Sequence, residues 1–266
     1  MAKLTFLGTG GGRFCMATQT RATGGFRLEM DGTNFHIDPG PGALVRAKQY
    51  NVDVKNTDVI MLSHVHIDHS NDCNAIIDAM TEGTKGQKGM LVGNISSIKG
   101  YDNNSPAVLK IYLKTLESVN VLKADETINL KNIIVRATPT KHSDPTAIGF
   151  RIEGSKVISY TSDTEYFPEL KKYHKNADVL VINTLRPDND EWPLHMNTDD
   201  AIKLIVDAEP KLCIFQHFGM KMISAGPEKQ ARKASKETGV KVIAAEDGMK
   251  IDLDRIDASL SKYIRK

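Results

Sequence analysis

The run His64-Val65-His66-Ile67-Asp68-His69 puts four potential metal ligands within six residues. It follows directly on Asp58 to Ser63 (DVIMLS), an apolar stretch that reads as a buried strand. Imidazole and carboxylate mixed at such short spacing suit zinc and similar borderline cations, so this strand is expected to end at a metal site. Alternation along an extended segment sends His64 and His66 to one side, while Asp68 and His69 turn into a second position. Two adjacent metal positions are implied.

The rest of the chain must build a scaffold around that strand end. Strand-like runs are Leu4 to Leu7, Gly25 to Met30, Thr33 to Asp38, Ile133 to Thr138, Ala147 to Glu153, Lys156 to Tyr160, Ala177 to Asn183, Leu212 to Gln216 and Val240 to Ala245. The early ones, joined at Asp31-Gly32, predict an antiparallel hairpin. Helical patterning covers Ala43 to Tyr50, Asn71 to Thr81, Ala107 to Glu117, Phe167 to His174, Thr198 to Glu209 and Pro227 to Thr238, with Gly239 as the last one's stop. No linker or repeat divides the 266 residues, which predicts one domain over 1–266. Two mixed β-sheets face to face with helices outside, an α/β (α+β) four-layered αββα sandwich, accommodate both the hairpins and the strand–helix alternation.

Charge limits the partners. Lys and Arg total 35 against 33 Asp and Glu, a formal net charge of +2, so no general attraction to nucleic acid or anionic lipid is expected. No window approaches the roughly 18 apolar residues of a membrane span, and the N-terminal residues break into glycines too early for a signal peptide's apolar core. Cys15, Cys73 and Cys213 are odd in number and form no CxxC pair. A cytoplasmic protein without a disulfide framework is expected.

His64 to His69 match the HxHxDH signature, and with it the sequence resembles the metallo-β-lactamase superfamily. His142, Asp163 and His217 follow later strands in the family's order, Ile37-Asp38-Pro39-Gly40 resembles its strand-to-turn motif, and Ala245 to Met249 resembles its closing hairpin. The resemblance runs from Leu7-Gly8-Thr9-Gly10 to about residue 253. It implies a metallo-β-lactamase fold and two divalent metal ions, zinc first with manganese or iron as alternatives. One would be held by His64, His66 and His142, the other by Asp68, His69 and His217, with Asp163 bridging. A bridging carboxylate offsets the repulsion of two cations about 4 Å apart, and a bridging hydroxide becomes the nucleophile. The same resemblance makes a homodimer an expectation.

Within the family, Asp163 argues against β-lactam hydrolysis, and His66, where the di-iron branch has glutamate, favours hydrolysis over redox chemistry. Leu194-His195-Met196-Asn197-Thr198 resembles the His motif of the phosphodiesterase branch that includes the tRNA 3′-end endonucleases (ribonuclease Z-like). Asp68 and His195 are the catalytic candidates, His195 as proton donor to the leaving oxygen. Asn197 departs from the small hydroxyl residue that the branch favours. That branch carries a tRNA-gripping arm between the counterparts of His142 and Asp163, here only 21 residues apart. A small phosphodiester is therefore the expected substrate, and tRNA or another large nucleic acid is not. The alternatives are hydrolysis of a lactone or thioester at the same centre, with His195 dispensable, and a non-catalytic metal-dependent binding or sensor protein.

Other features remain open at this point. Gly8 to Arg13 reads as a flexible glycine loop near the metal edge whose N–H groups, with Arg13 and Arg21, either bind substrate oxyanions or form a structural turn. Lys229, Arg232, Lys233 and Lys236 form a helical stripe expected to face solvent. Trp192, the single tryptophan, stacks on a base, lines a pocket or packs beneath its loop. His36 is expected to be structural, and His174 to face solvent near a helix C-terminus. Thr198 is the expected cap of the helix after His195.

Overall fold

A computed structural model describes residues 2–255, so the two ends of the expected 1–266 domain lie outside the described residues. One sheet runs in the order Lys250–Asp252, Ala2–Phe6, Phe26–Met30, Thr33–Ile37, Val59–Leu62, Met90–Gly93 and Ser118–Val121. The other runs Lys241–Ala244, Leu212–Gln216, Val179–Arg186, Val157–Tyr160, Ile148–Glu153, Ile133–Pro139 and Thr127–Leu130, with Met196–Asn197 pairing onto Val179–Arg186. Both are mixed: Phe26–Met30 and Thr33–Ile37 form the expected hairpin, while Thr33–Ile37, Val59–Leu62 and Met90–Gly93 pair in parallel.

Alternation along the apolar strands explains the layers. Val59 and Met61 join the core between the sheets, whereas Ile60 and Leu62 pack under the helices Ala43–Gln49 and Cys73–Met80. Val179 and Val181 likewise face the inter-sheet core, and Leu180 and Ile182 face the helices Thr198–Ala208 and Pro227–Thr238. Each strand is thus buried on both faces, which is why its sequence is continuously apolar rather than alternating. The result is the αββα sandwich of the metallo-β-lactamase fold. Among the described residues no helix is long and apolar enough to cross a membrane.

Several local expectations are corrected. Ala107 to Glu117 is helical only over Lys110–Leu113, because the Asn74 side chain donates to the Ala107 carbonyl and accepts from the Leu109 N–H, holding the segment's start extended. Ala245 to Met249 is no hairpin: Lys241–Ala244 and Lys250–Asp252 lie in different sheets, and the segment crosses between them. Asp247 in that crossing accepts from Thr9 N, Thr9 Oγ1 and Ala22 N at 2.7–2.8 Å. His174 is fully buried, with Nδ1 2.7 Å from Ser159 Oγ, and does not face solvent. His36 is buried as a structural residue, bonded to the Gly24 carbonyl at 3.0 Å.

Candidate metal centre

Strands that run in the same direction, whether or not they pair directly, deliver their side chains to a common edge where the chain leaves each C-terminal end. His64 and His66 follow Val59–Leu62, Asp68 and His69 lie on the short helix Ile67–Ser70, and His142, Asp163 and His217 follow the strands Ile133–Pro139, Val157–Tyr160 and Leu212–Gln216. The turns that aim them are strained. Asp38, Ser162 and His217 have φ of 51°, 58° and 62°, a region non-glycine residues rarely occupy and one that concentrates at functional sites. Gly11 packs so close that a Cβ there would lie 2.3 Å from the His217 ring.

The structure brings all seven sequence-predicted ligands together. His64 Nε2, His66 Nδ1 and His142 Nε2 converge, each of the first and last 3.1 Å from His66 Nδ1. His69 Nε2 and His217 Nε2 are 3.0 Å apart, and Asp68 Oδ2 lies 3.8 and 3.4 Å from them. Asp163 Oδ2 stands between the two groups, 3.9 Å from His64 Nε2, 4.0 Å from His142 Nε2 and 3.4 Å from His69 Nε2.

The donor set fits divalent cations, and the hydrogen bonds behind the imidazoles show why. His142 Nδ1 faces the Leu194 carbonyl at 3.2 Å, and His69 Nδ1 faces Asp38 Oδ2 at 3.0 Å. Ser63 Oγ gives its proton to Asp38 Oδ2 (2.6 Å), leaving a lone pair for His64 Nδ1–H at 3.0 Å. In each ring Nδ1 is therefore the donor, and the Nε2 lone pair points into the cluster, the orientation metal-binding histidines need. Charge agrees. Burial drives His64 well below its ordinary pKa and His142 down to about 4, so both are neutral ligands. Burial opposes ionisation of Asp163, but His217 and His69 outweigh it and hold this carboxyl well below the usual carboxylate range. Burial would also discharge His69, yet Asp163 and Asp68 push it well above its ordinary value. The second position therefore attracts positive charge.

His195 reaches the same centre. Its Nε2 is 3.4 Å from Asp163 Oδ2, and its Nδ1–H donates to the Pro193 carbonyl at 3.0 Å. Burial works against a charged ring, but Asp163 prevails and keeps its pKa above the ordinary value. The following helix is capped by Asn197 rather than Thr198: Asn197 Oδ1 accepts the Asp200 N–H at 2.9 Å. The departure at position 197 thus has a structural cause. The loop before His195 is pinned from the helix Pro227–Thr238, whose Lys233 contacts Asp188 at 3.1 Å and Asp199 at 2.7 Å, so this member of the basic stripe is an internal anchor and not a solvated charge.

Of the two readings of the glycine segment, the structural one fits, though the segment runs into a helix and not a loop. Gly12–Thr18 is a helix, and the preceding amides are engaged: Gly12 N–H donates to Asp68 Oδ2 at 3.0 Å, Gly11 N–H to the Phe218 carbonyl and Gly10 N–H to the Ala22 carbonyl. These groups hold the scaffold and Asp68 instead of a substrate anion. Arg21 is spent on Thr9 Oγ1 and the Ala245 carbonyl, both at 3.1 Å, while Arg13 is exposed.

Two supporting residues escaped the sequence reading of roles. Asp38, visible only as part of a strand-to-turn motif, accepts from Ser63, His69 and Tyr160. Asp144, which reads in Ser143-Asp144-Pro145 as an ordinary turn residue, is buried and accepts from Asn94 Nδ2 (2.8 Å), Ser96 Oγ (2.9 Å), Thr146 N (2.9 Å) and Val65 N (3.2 Å). It couples the His142 turn to the peptide between His64 and His66. Its closeness to His142 is the one signal in the sequence.

Comparison with known proteins agrees with this architecture. The family model described as "Beta-lactamase superfamily domain" matches residues 33–218. A Methanocaldococcus jannaschii protein, MJ1374, is 38% identical over 256 residues, covering 94% of this chain and 95% of the relative. Ribonuclease Z of Methanopyrus kandleri is 28% identical over 179 residues, 67% of this chain and 59% of that protein. Among solved structures, the metallo-β-lactamase fold protein YhfI of Bacillus subtilis superposes with a TM-score of 0.78 at 20% identity, covering 94% of this chain and 98% of that one. A diphosphatase of the PhnP family gives 0.70 at 20% identity over 95% and 98%. The chain is therefore a member of the metallo-β-lactamase superfamily, a metal-dependent hydrolase related to its ribonuclease Z-like branch.

Proposed function

We propose that the protein hydrolyses a small phosphodiester, with His195 as proton donor to the leaving oxygen. The observation that carries this reading is the place of His195, whose Nε2 lies 3.4 Å from the carboxylate shared by both ligand groups while its Nδ1–H is fixed on Pro193. With Nδ1–H engaged, the second proton of the imidazolium sits on Nε2, facing the centre.

His64, His66 and His142 would hold one divalent cation and Asp68, His69 and His217 a second, with Asp163 between them. Zinc suits this nitrogen and oxygen set, as do manganese and iron. Bound there, the cations supply Lewis acidity and an activated water. Asp38 and Ser63 keep His69 and His64 in the required tautomer, and Asp68 is oriented by the Gly12 N–H. His195 moves the proton.

Phosphorus is favoured over a carbonyl carbon because two similar proteins, a ribonuclease and a diphosphatase, carry names that describe chemistry at phosphorus. A small ester is favoured because the segment between His142 and Asp163 is occupied by the paired strands Ile148–Glu153 and Val157–Tyr160. Three free, buried cysteines suit a reducing cytoplasm.

The test is a panel assay of the metal-loaded protein on bis(p-nitrophenyl) phosphate, lactones and thioesters. The expected result is turnover of the phosphodiester; fast lactone or thioester hydrolysis without phosphodiesterase activity overturns the reading. Loss of activity on removal of the metals by a chelator, restored by re-addition, separates both from a non-catalytic sensor.

A further inference from the structure

Trp192 is half exposed, at 49%, although it is the largest apolar side chain in the sequence and sits beside a buried polar centre. Its surroundings fix it in that state. The His195 N–H donates to the Trp192 carbonyl at 3.2 Å, and the two residues form an antiparallel bridge. Between them stand Pro193 and Leu194, the latter at φ 62°, the residue pattern of a type II turn. Bridge partners project their side chains from one face with Cβ atoms about 5 Å apart. The bridge therefore sets the indole on the same face of the turn as the His195 imidazole.

The guanidinium of Arg186 lies over the indole, Cζ 4.2 Å from the ring, and is itself held by Asp190 at 3.3 Å. A cation stacked on one side fixes the plane of the ring and strengthens it as a stacking surface. Hydrophobic burial does not explain a tryptophan left half in solvent; a planar ligand would cover it.

We infer that Trp192, backed by Arg186, is a stacking platform for a planar heteroaromatic group on the leaving side of the substrate, a nucleobase of a nucleoside leaving group. The inference rests on the phosphodiester reading, since His195 marks the leaving oxygen only there. In its terms, the base stacks on Trp192 while an oxygen from water bonds to phosphorus, the P–O bond to the ribose oxygen breaks, and that oxygen takes the proton of His195 Nε2 and leaves as a hydroxyl.

Trp192 is the single tryptophan, so the fluorescence of the metal-loaded full chain reports the platform directly. AMP is expected to quench it saturably and ribose 5-phosphate to leave it unchanged; equal responses, or none to AMP, overturn the inference. In kinetics, the wild type is expected to prefer 2′,3′-cyclic AMP over the cyclic phosphate of glycerol, and Trp192→Ala to cut that preference by about 5–100-fold. Trp192→Phe is expected to restore part of it. An equal loss on both esters would make the indole a structural prop of the turn and overturn the assignment. Quenching by AMP with no turnover of either ester would retain the platform and reject the phosphodiesterase reading instead.

Discussion

The Leu194 carbonyl accepts the Nδ1–H of His142 at 3.2 Å. This one contact ties a candidate metal ligand to the turn that presents His195 and Trp192, so the geometry of the proton donor and of the metal position are set together. Leu194 adopts φ 62° to make it. Glycine occupies that region without strain, whereas a β-branched residue does so poorly. Leu194→Gly is expected to keep the carbonyl in place and to retain hydrolysis within a few-fold, while Leu194→Val should destabilise the turn by about 1–2 kcal/mol and depress activity. Equal activity in the two variants would show that the turn does not set the site.

Asp144 accepts from five groups, the Thr146 hydroxyl included, while buried beside His142. An amide in place of this carboxylate would set a donor against existing donors at nearly unchanged volume. Asp144→Asn is therefore expected to cost about 1–3 kcal/mol in urea unfolding and to weaken metal retention by about 10–100-fold in competition with a chelator. Unchanged metal retention would mean that the network serves folding alone.

Lys233 bridges Asp188, at the start of the His195 loop, and Asp199, in the helix after it. Lys233→Met leaves the loop's two carboxylates facing each other without their cation. Turnover is expected to fall by roughly tenfold through misplacement of His195, with metal content unchanged by elemental analysis. Full activity would show that Gln230, bonded to Asp188 at 2.8 Å, is anchor enough.

His174 is buried and its pKa is lowered to about 3 by desolvation, with Arg151 adding to the shift. The unfolded chain takes up this proton near pH 6.5, so between pH 6.5 and about 3 the unfolded state binds more protons and stability falls as the pH falls. The contribution is complete above pH 6.5. His174→Gln removes the titration, and its urea stability should fall less steeply than that of the wild type, by about 0.7 kcal/mol per pH unit at pH 6.5 and approaching about 1.4 near pH 5. Identical slopes would show that His174 contributes no linked proton.

What the sequence discloses follows from where the information lies. His64, His66, Asp68 and His69 sit in one uninterrupted run after a strand buried on both faces, so ligand density and strand end are local signals. His142, Asp163 and His217 come from three other strands and became legible only through the family resemblance. The strands Ser118–Val121 and Thr127–Leu130 escaped because they are short and bury little of their length, so they carry no apolar run. The burial of His174 and the capping by Asn197 are tertiary facts: a histidine near a helix end and an asparagine before a helix have the same local sequence whichever role they take. Lys233 is misread for the same reason, since the Asp199 and Asp188 it holds lie 34 and 45 residues away.

The most direct measurement of the central claim is the leaving-group dependence of phosphodiester hydrolysis in wild type and His195→Ala. A proton donor matters little for p-nitrophenolate and greatly for an alkoxide. The account predicts a small deficit on bis(p-nitrophenyl) phosphate, growing with leaving-group pKa to about 10²–10⁴-fold on alkyl or ribose esters. A deficit of the same size across the series would contradict it.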